Sequence, residues 1–186
     1  MRNFLGLATN VDVMPLLLAV QRQPDLWNAE KLRTTHPGTP HADVEDILLR
    51  FNDLEKFRAT KDAASVMDEH ESVFWPAWYR LPEAHPIIFD LMRRVSGIRL
   101  GRVMITRLAP GKRILPHVDG GEHARYYDRH HVVLQCAPGA VFVAGNETVQ
   151  MRVGEVWWFD NASTHEVVNN SADDRITMIV DIATAR

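Results

Sequence analysis

The sequence has almost no cysteine, since Cys136 is the single one in 186 residues, beside nine histidines. One cysteine cannot form an internal disulfide, and it excludes zinc sites built from several thiolates. A metal ion bound by this chain would therefore be held by histidine nitrogen and carboxylate oxygen. A single free cysteine is also typical of proteins in a reducing compartment, so a cytoplasmic location is expected.

The sequence also lacks a long apolar run and an excess of charge of one sign. The longest apolar stretch near its start covers residues 13–20, whereas about twenty apolar residues are needed to cross a bilayer. No membrane segment is therefore expected. Lysine and arginine total 21 against 24 aspartate and glutamate, for a net charge of −3. This balance shows no basic face for nucleic acid, and nothing in it indicates an oligomeric state.

The pattern of apolar and turn residues changes near Gly97. Before it the pattern is mixed, with candidate helices over residues 12–22 and 84–96 and a candidate strand over 47–51. After it, eight short strand-like segments are separated by glycine, proline and asparagine. These segments are residues 102–108, 114–119, 129–136, 140–144, 148–152, 155–159, 165–169 and 175–182.

This pattern predicts a mainly β protein with a helical N-terminal flank, in which the β part is a jelly roll, that is, a cupin-like double-stranded β-helix. Residues 1–97 are expected to form a mixed helical flank that packs on the barrel, and residues 98–186 the catalytic core. At this length the two parts are expected to make one structural domain. The aromatic cluster of Phe74, Trp75, Trp78 and Tyr79 is expected to belong to the core.

The sharpest motif is His117-Val118-Asp119, at the end of a predicted strand. Residues i and i+2 of a strand project to the same face, so His117 and Asp119 can reach one ion. His165, on a later strand, is the natural third ligand. Two imidazoles and one carboxylate form the facial triad of non-haem iron(II) oxygenases, which leaves open positions for a 2-oxo acid and dioxygen.

A 2-oxo acid with a distal carboxylate needs a cation, and Arg175 follows His165 by ten residues. A guanidinium suits a carboxylate because it presents a planar pair of donors. Arg129 and His131 form a second polar pair at i and i+2, and a buried pair of this kind needs an anionic partner. A register slip of one residue would bring His130 to the inner face in place of His131.

Several motifs, in this order along the chain, resemble the aspartyl/asparaginyl β-hydroxylase family. They are residues 108–111 (LAPG), 116–119 (PHVD), 128–131 (DRHH), 154–160 (GEVWWFD), 165–169 (HEVVN) and 174–176 (DRI). The resemblance covers roughly residues 98–183. It implies an Fe(II)/2-oxoglutarate oxygenase on a double-stranded β-helix, in a family that also includes bacterial hydroxylases of free proline.

By position, the resemblance puts the family's metal ligands on His117 and His165, and its 2-oxoglutarate clamp on Arg175 with Arg129 and His131. The animal enzymes that give the family its name lack the carboxylate ligand, whereas Asp119 is present here, as in the bacterial free-amino-acid branch. This departure weakens any transfer of the aspartyl/asparaginyl substrate.

The function expected from these residues is hydroxylation of an amino-acid side chain, free or in a peptide, with Fe(II), 2-oxoglutarate and O2 and release of succinate and CO2. Two alternatives stay open, a cupin-like metal enzyme that does not use 2-oxoglutarate and a non-catalytic ligand-binding jelly roll. No residue identifies the substrate. The remaining histidines are expected to be surface or loop residues: His36, His41, His70, His85 and His123.

Overall fold

Two antiparallel β-sheets and a layer of helices make up the computed structural model, which describes residues 1–185. Its strands are β1 (Phe4–Ala8), β2 (Val44–Phe51), β3 (Val73–Phe74), β4 (Gly97–Leu108), β5 (Arg113–His117), β6 (Asp128–Gln135), β7 (Ala140–Ala144), β8 (Glu147–Val149), β9 (Val156–Phe159), β10 (His165–Asn169) and β11 (Arg175–Thr184). Its α-helices are α1 (Met14–Gln21), α2 (Leu32–Thr35), α3 (Leu54–Thr60), α4 (Ala64–Met67), α5 (Pro76–Arg80), α6 (Ala84–Arg94) and α7 (Gly121–Tyr126). Within residues 1–185, no helix has both the length and the apolar character needed to cross a membrane.

The larger sheet has the strand order β1-β9-β6-β11-β4-β2-β3, and the smaller has the order β5-β10-β7-β8. Each of the eight strands predicted after Gly97 is present within a few residues of its expected bounds. The turn residues between them and the antiparallel pairing place strands from distant parts of the chain side by side. Two such facing sheets form a double-stranded β-helix, so the predicted fold class is confirmed.

The first 97 residues do more than pack against the barrel. They supply β1, which pairs with β9 from Phe4 opposite Phe159, and β2, which pairs with β4 from Val44 opposite Leu108. Both strands continue the larger sheet, where they cover backbone groups that would otherwise form exposed edges. The expected helical flank is therefore in part a set of sheet strands.

The larger sheet separates two cores, because alternate residues of each strand point to opposite faces. On one face, α1 and α6 pack with Leu16 and Ile88 against sheet residues such as Val132 and Met178, all fully buried. On the other face, the smaller sheet contributes Phe142 to a second core. The candidate functional residues lie between the two sheets, on this second face.

Helix α6 ends at Arg94, two residues before the end predicted from the sequence. The turn into β4 contains Ser96, which takes the left-handed conformation with φ of 53°. Gly97 begins β4, where a Cβ would lie 2.5 Å from Cγ2 of Ile182. The glycine is required there by close approach to β11.

The aromatic cluster does not enter the core as a unit. Trp78 is buried, whereas Phe74 and Tyr79 expose 45% and 71% of their surface. Trp78 faces the helix side of the sheet and stacks on His85, with ring centroids 4.1 Å apart. The prediction of a buried cluster is correct for Trp78 and wrong for Phe74 and Tyr79, since neighbouring residues of short elements face different ways.

Candidate metal centre and co-substrate pocket

His117, Asp119 and His165 meet between the two sheets. His117 ends β5 and His165 begins β10, and the two residues lie directly opposite each other in the antiparallel pairing. Their ring centroids are 4.2 Å apart. One ligand atom from each of the three side chains lies within 4.8 Å of the others, so strand pairing brings together residues that are distant in sequence.

Each imidazole is oriented by a backbone carbonyl. Nδ1 of His117 lies 2.8 Å from the carbonyl oxygen of Leu115, and Nδ1 of His165 lies 3.0 Å from that of Ser163. A carbonyl only accepts, so each Nδ1 donates and each Nε2 keeps its lone pair. Nε2 of His117 and of His165 lie 3.6 and 3.9 Å from Oδ1 of Asp119. Burial also lowers the pKa of His165, which favours its neutral, ligating form.

Asp119 is held from its other side by Arg129. Nη1 of Arg129 donates to Oδ2 of Asp119 over 2.8 Å, while its Nε and Nη2 donate to both oxygens of Asp181 over 2.8 and 2.9 Å. Burial by itself raises the pKa of Asp181, but the Arg129 guanidinium lowers it well below its usual range. The anionic partner that a buried Arg129 requires is therefore a pair of carboxylates from this chain.

This arrangement differs from the clamp expected for Arg129. All three of its nitrogens bond to protein carboxylates, and one of these carboxylates belongs to the triad. A charge-assisted network of this kind restricts the orientation of Asp119.

The network continues to His123, which is 1% exposed, so the prediction that it is a surface or loop residue is wrong. Its Nε2 lies 3.2 Å from Oδ2 of Asp181, and its Nδ1 lies 2.9 Å from the carbonyl oxygen of Glu69. His123 lies in α7, the helix that follows the triad loop, and α7 packs on β6. His123 therefore links Asp181 of this network to the backbone of Glu69.

Arg175 lies deeper between the sheets and is 3% exposed. Its closest polar contact is Sδ of Met151, 3.9 Å from Nη2, and its guanidinium carbon lies 5.9 Å from the centre of the Phe142 ring. Among residues 1–185, no carboxylate lies within 4.0 Å of it to form an ion pair. Burial accordingly lowers the pKa of Arg175.

Two further buried polar atoms near Arg175 have no hydrogen-bond partner among residues 1–185, namely Nδ1 of His131 and Oγ1 of Thr177. Buried polar atoms are normally paired. A buried guanidinium beside two buried polar atoms of this kind suits an anionic ligand that carries hydrogen-bonding oxygens.

The structure places His131, and not His130, on the inner face of β6. The His131 ring packs 5.2 Å from Phe142 and 5.1 Å from Phe159, and Phe159 in turn packs 4.9 Å from the His165 ring. His130 faces the opposite side, where its Nδ1 lies 3.3 Å from the carbonyl oxygen of Val180. The strand alternation that joins Arg129 to His131 thus holds in the fold.

These donors fit a divalent metal with a 2-oxo acid beside it. The two Nε2 lone pairs and the Asp119 carboxylate form a mixed nitrogen and oxygen set, which suits iron(II). The Arg175 guanidinium, on the same side of the triad as Phe142 and His131, suits a carboxylate. The pocket walls between them are aromatic, so water would be displaced from a ligand bound there.

A third imidazole lies against His117 of the triad. His41, in the loop before β2, packs edge-on to His117 with ring centroids 4.8 Å apart. The amide of Leu115 donates to the carbonyl of Pro40, which joins this loop to β5. Nδ1 of His41 is buried without a hydrogen-bond partner among residues 1–185. The sequence contains no ligand spacing that could have revealed this position.

Asp181 was missed for a different reason, although a signal for it exists. It is six residues after Arg175 on β11, and even spacing along a strand puts both on one face. Its partner Arg129 is 52 residues away, so only the pairing of β11 with β6 brings the two together.

Comparisons with known proteins point to one family. A family model described as aspartyl/asparaginyl beta-hydroxylase matches residues 63–185. L-proline cis-3-hydroxylase 1 of a Streptomyces species is 32% identical over 105 residues, which are 54% of this chain and 36% of that protein. L-proline cis-3-hydroxylase 2, also from Streptomyces, is 36% identical over 73 residues, or 38% of this chain and 25% of that protein. The matches thus span about a third or less of these curated relatives.

A solved structure has the same fold. The oxidoreductase of the 2OG-Fe(II) oxygenase family from Burkholderia pseudomallei matches with a TM-score of 0.61 over 97% of this chain and 84% of that chain, at 16% identity. At that identity the likeness concerns the fold, and it agrees with the double-stranded β-helix. The family resemblance carried by the ordered motifs is confirmed by the family model.

Proposed function

Since this chain belongs to the aspartyl/asparaginyl β-hydroxylase family, we propose that it is an Fe(II)- and 2-oxoglutarate-dependent oxygenase that hydroxylates an amino-acid side chain. The reaction consumes the substrate, 2-oxoglutarate and O2, and yields the hydroxylated product, succinate and CO2. The observation that carries the proposal is the convergence of His117, Asp119 and His165 within 4.8 Å, beside the buried guanidinium of Arg175, which has no carboxylate partner in residues 1–185.

His117, Asp119 and His165 would hold the metal, which in such a centre supplies open coordination positions and the oxidising chemistry of non-haem iron with dioxygen. The backbone carbonyls of Leu115 and Ser163 keep the two Nε2 lone pairs directed at a common point. One carboxylate charge on Asp119 leaves the bound ion with a net positive charge, which favours an anionic co-substrate.

Arg175 would bind the distal carboxylate of 2-oxoglutarate, and His131 would donate a hydrogen bond to it. Two parallel N–H groups of a guanidinium match the two oxygens of a carboxylate. Phe142 and Phe159 would exclude water from the co-substrate, since both rings line the space between His131 and His165. Arg129 is assigned here to orienting Asp119, because its nitrogens already bond to Asp119 and Asp181.

The substrate proposed is an amino acid, free or within a peptide. The relatives named L-proline cis-3-hydroxylase make free L-proline the first compound to assay. Their matched regions cover 36% and 25% of their length, so the assay should extend to all free L-amino acids and short peptides. The cytoplasmic location expected from the single cysteine stays a prediction.

Succinate formation tests the proposal directly. Wild-type protein, reconstituted anaerobically with Fe(II), is mixed with 2-oxoglutarate and air, with and without each amino acid. Succinate that depends on Fe(II) and is lost in His117→Ala and Asp119→Ala supports the function. A suitable control is Asp90→Asn, on the exposed surface of α6, which should retain wild-type turnover. Normal turnover in both triad variants would overturn the metal assignment.

Arg175→Ala and Fe(II) binding distinguish the oxygenase from the two alternatives, a cupin-like metal enzyme without 2-oxoglutarate and a non-catalytic jelly roll. A cupin-like metal enzyme would keep its activity in Arg175→Ala and would show no 2-oxoglutarate binding by calorimetry. A non-catalytic jelly roll would bind no Fe(II) stoichiometrically. Both alternatives leave the buried, unpaired Arg175 without a role, and for this reason we favour the oxygenase.

A further inference from the structure

The inner face of the larger sheet carries a second polar group of residues, which reaches β2. Thr177 of β11 lies opposite Thr106 of β4, and Thr106 lies opposite Asp46 of β2. These three residues form one row across the sheet. With strands about 4.8 Å apart, Asp46 lies about 10 Å from Thr177 along that row.

Asp46 is 2% exposed and forms a two-point ion pair with Arg33 of α2. Nε and Nη2 of Arg33 donate to Oδ2 and Oδ1 of Asp46, both over 2.7 Å. Nη1 of Arg33 has no hydrogen-bond partner among residues 1–185. The guanidinium is thus held in one orientation, with a free pair of N–H groups and 18% of the side chain accessible.

The loop between α2 and β2 connects this ion pair to the triad. Thr39 donates from Oγ1 to the carbonyl of Arg33 over 2.7 Å, and the amide of His41 donates to the same Oγ1 over 3.1 Å. The His41 ring then packs on His117.

Stability alone gives a weak reason for this ion pair. Removing two charges from water costs about as much as their attraction returns, so a buried pair contributes little net stability. A fixed guanidinium beside a carboxylate complements a zwitterion, because it offers donors to one charged group and acceptors to the other. A free amino acid is such a zwitterion, because it carries both charged groups on one carbon atom.

We propose that Arg33 and Asp46, together with His41, form the recognition site for the α-carboxylate and α-ammonium groups of a free amino-acid substrate. Nη1 of Arg33 receives the carboxylate, the Asp46 oxygens accept from the ammonium, and the unpaired Nδ1 of His41 supplies a hydrogen bond at the triad end. This inference rests on the proposed function, and it selects the free amino acid over a peptide, since a peptide bond removes one or both charges.

Binding is measured by titration calorimetry, which does not depend on turnover. Each free L-amino acid is titrated into the Fe(II)-loaded protein with 2-oxoglutarate, under anaerobic conditions. The tightest binder is then compared with its C-terminal amide and its N-acetyl form. The amide and the N-acetyl form are each expected to bind at least tenfold more weakly, the order of a lost charged hydrogen bond.

Two variants test the residues. Arg33→Gln and Asp46→Asn should raise the Kd of the free amino acid by about 10- to 100-fold, while the Kd of 2-oxoglutarate changes by less than about twofold because Arg175 is untouched. The Kd of the free amino acid in Arg33→Lys should lie between the values for wild type and Arg33→Gln, because lysine keeps the positive charge but lacks the planar set of donors of a guanidinium. If Arg33→Gln does not fold, the inference is tested by the Kd of the free amino acid in Arg33→Lys and by the Kd of the C-terminal amide in wild type.

The matched control is Glu45→Gln. Glu45 is the residue next to Asp46 on β2 and pairs with Arg107 through Oε2 at 2.6 Å, but on the opposite face of the sheet. It should leave amino-acid binding unchanged. Equal binding of the amide and the free acid, unchanged Kd in Arg33→Gln, or no binding of any free amino acid by wild type would each overturn the inference. Absence of succinate in the turnover assay would instead overturn the proposed function, because calorimetric binding is scored separately.

Discussion

Arg129 bonds to Asp119 over 2.8 Å through Nη1, and it does so while its Nε and Nη2 hold Asp181. Asp119, a proposed metal ligand, is therefore tied to the larger sheet by a guanidinium that is itself fixed at two other points. The carboxylate oxygen that would face the metal, Oδ1, is the one that Arg129 leaves free. The ligand's direction is set before any ion binds.

Asp181→Asn should weaken metal binding although Asp181 is not one of the three proposed metal ligands. Losing the carboxylate removes one anchor of Arg129, so Asp119 gains freedom, and changes to groups that orient ligands cost about 10- to 100-fold in metal affinity. The measurement is the Kd of Mn(II) by calorimetry. Arg129→Lys should also raise the Kd of Mn(II), whereas Asp90→Asn should leave it unchanged. Wild-type Mn(II) affinity in both Asp181→Asn and Arg129→Lys would contradict the role of Arg129 in orienting Asp119.

Arg175→Met should stabilise the ligand-free protein while abolishing 2-oxoglutarate binding. The buried guanidinium has no carboxylate partner in residues 1–185, and replacing such a charge by an apolar chain of similar length removes a desolvation cost. Each kcal/mol gained raises Tm by about 2–4 °C at this chain size. Thermal unfolding gives Tm, and calorimetry gives the 2-oxoglutarate Kd. A lower Tm together with intact binding would refute this account.

Adding 2-oxoglutarate should reverse that order of stability. The co-substrate binds the folded wild type and raises its Tm by mass action, whereas Arg175→Met gains nothing. Wild-type Tm should therefore rise with 2-oxoglutarate concentration in the presence of Mn(II), and Arg175→Met should show a flat response. An equal rise in both proteins would place the co-substrate away from Arg175.

The free energy of unfolding should fall as the pH drops below about 6.5, the unperturbed pKa of histidine. Burial lowers the pKa of His130 in the folded protein, so below that pH the unfolded chain binds a proton that the folded chain does not. Stability is therefore complete above the unfolded pKa and is lost on acidification. One such proton contributes a slope of up to about 1.4 kcal/mol per pH unit.

His130→Gln tests this assignment, because His130 faces away from the triad. The variant should have a smaller slope of unfolding free energy between about pH 6.5 and 5. His36→Gln is the matched change at an exposed histidine and should keep the wild-type slope. Denaturant titrations at a series of pH values supply the slopes, and identical slopes for His130→Gln and wild type would rule out His130 as a source.

Gly97→Ala should destabilise the fold by about 1–3 kcal/mol, the usual range for overpacking. Its Cβ would lie 2.5 Å from Cγ2 of Ile182, a β-branched and fully buried side chain with little freedom to move. Gly6→Ala is the control, since its Cβ would lie 3.8 Å from the Trp157 ring. Urea unfolding of both variants should separate them, and equal midpoints would argue against the close approach.

Strand alternation and turn residues were enough to predict the fold class and to propose His117 and Asp119 as a pair of metal ligands. His117 and Asp119 share a face because strand residues alternate, and turn residues divide the chain after Gly97 into the strands observed. Both are local properties. His165 and Arg175 were proposed from residue type and from their positions on later predicted strands, and the pairing of β10 with β5 brings His165 opposite His117.

Tertiary structure alone decided what surrounds those residues. Arg129 meets Asp181 across 52 residues, and Arg33 meets Asp46 only because α2 folds back over β2. Such contacts depend on strand register and on where a helix packs, which no local spacing encodes. His123 shows the same limit, because its burial comes from the packing of α7 and α4. Local sequence specified which groups could bind a metal, and long-range packing specified which charges hold and flank them.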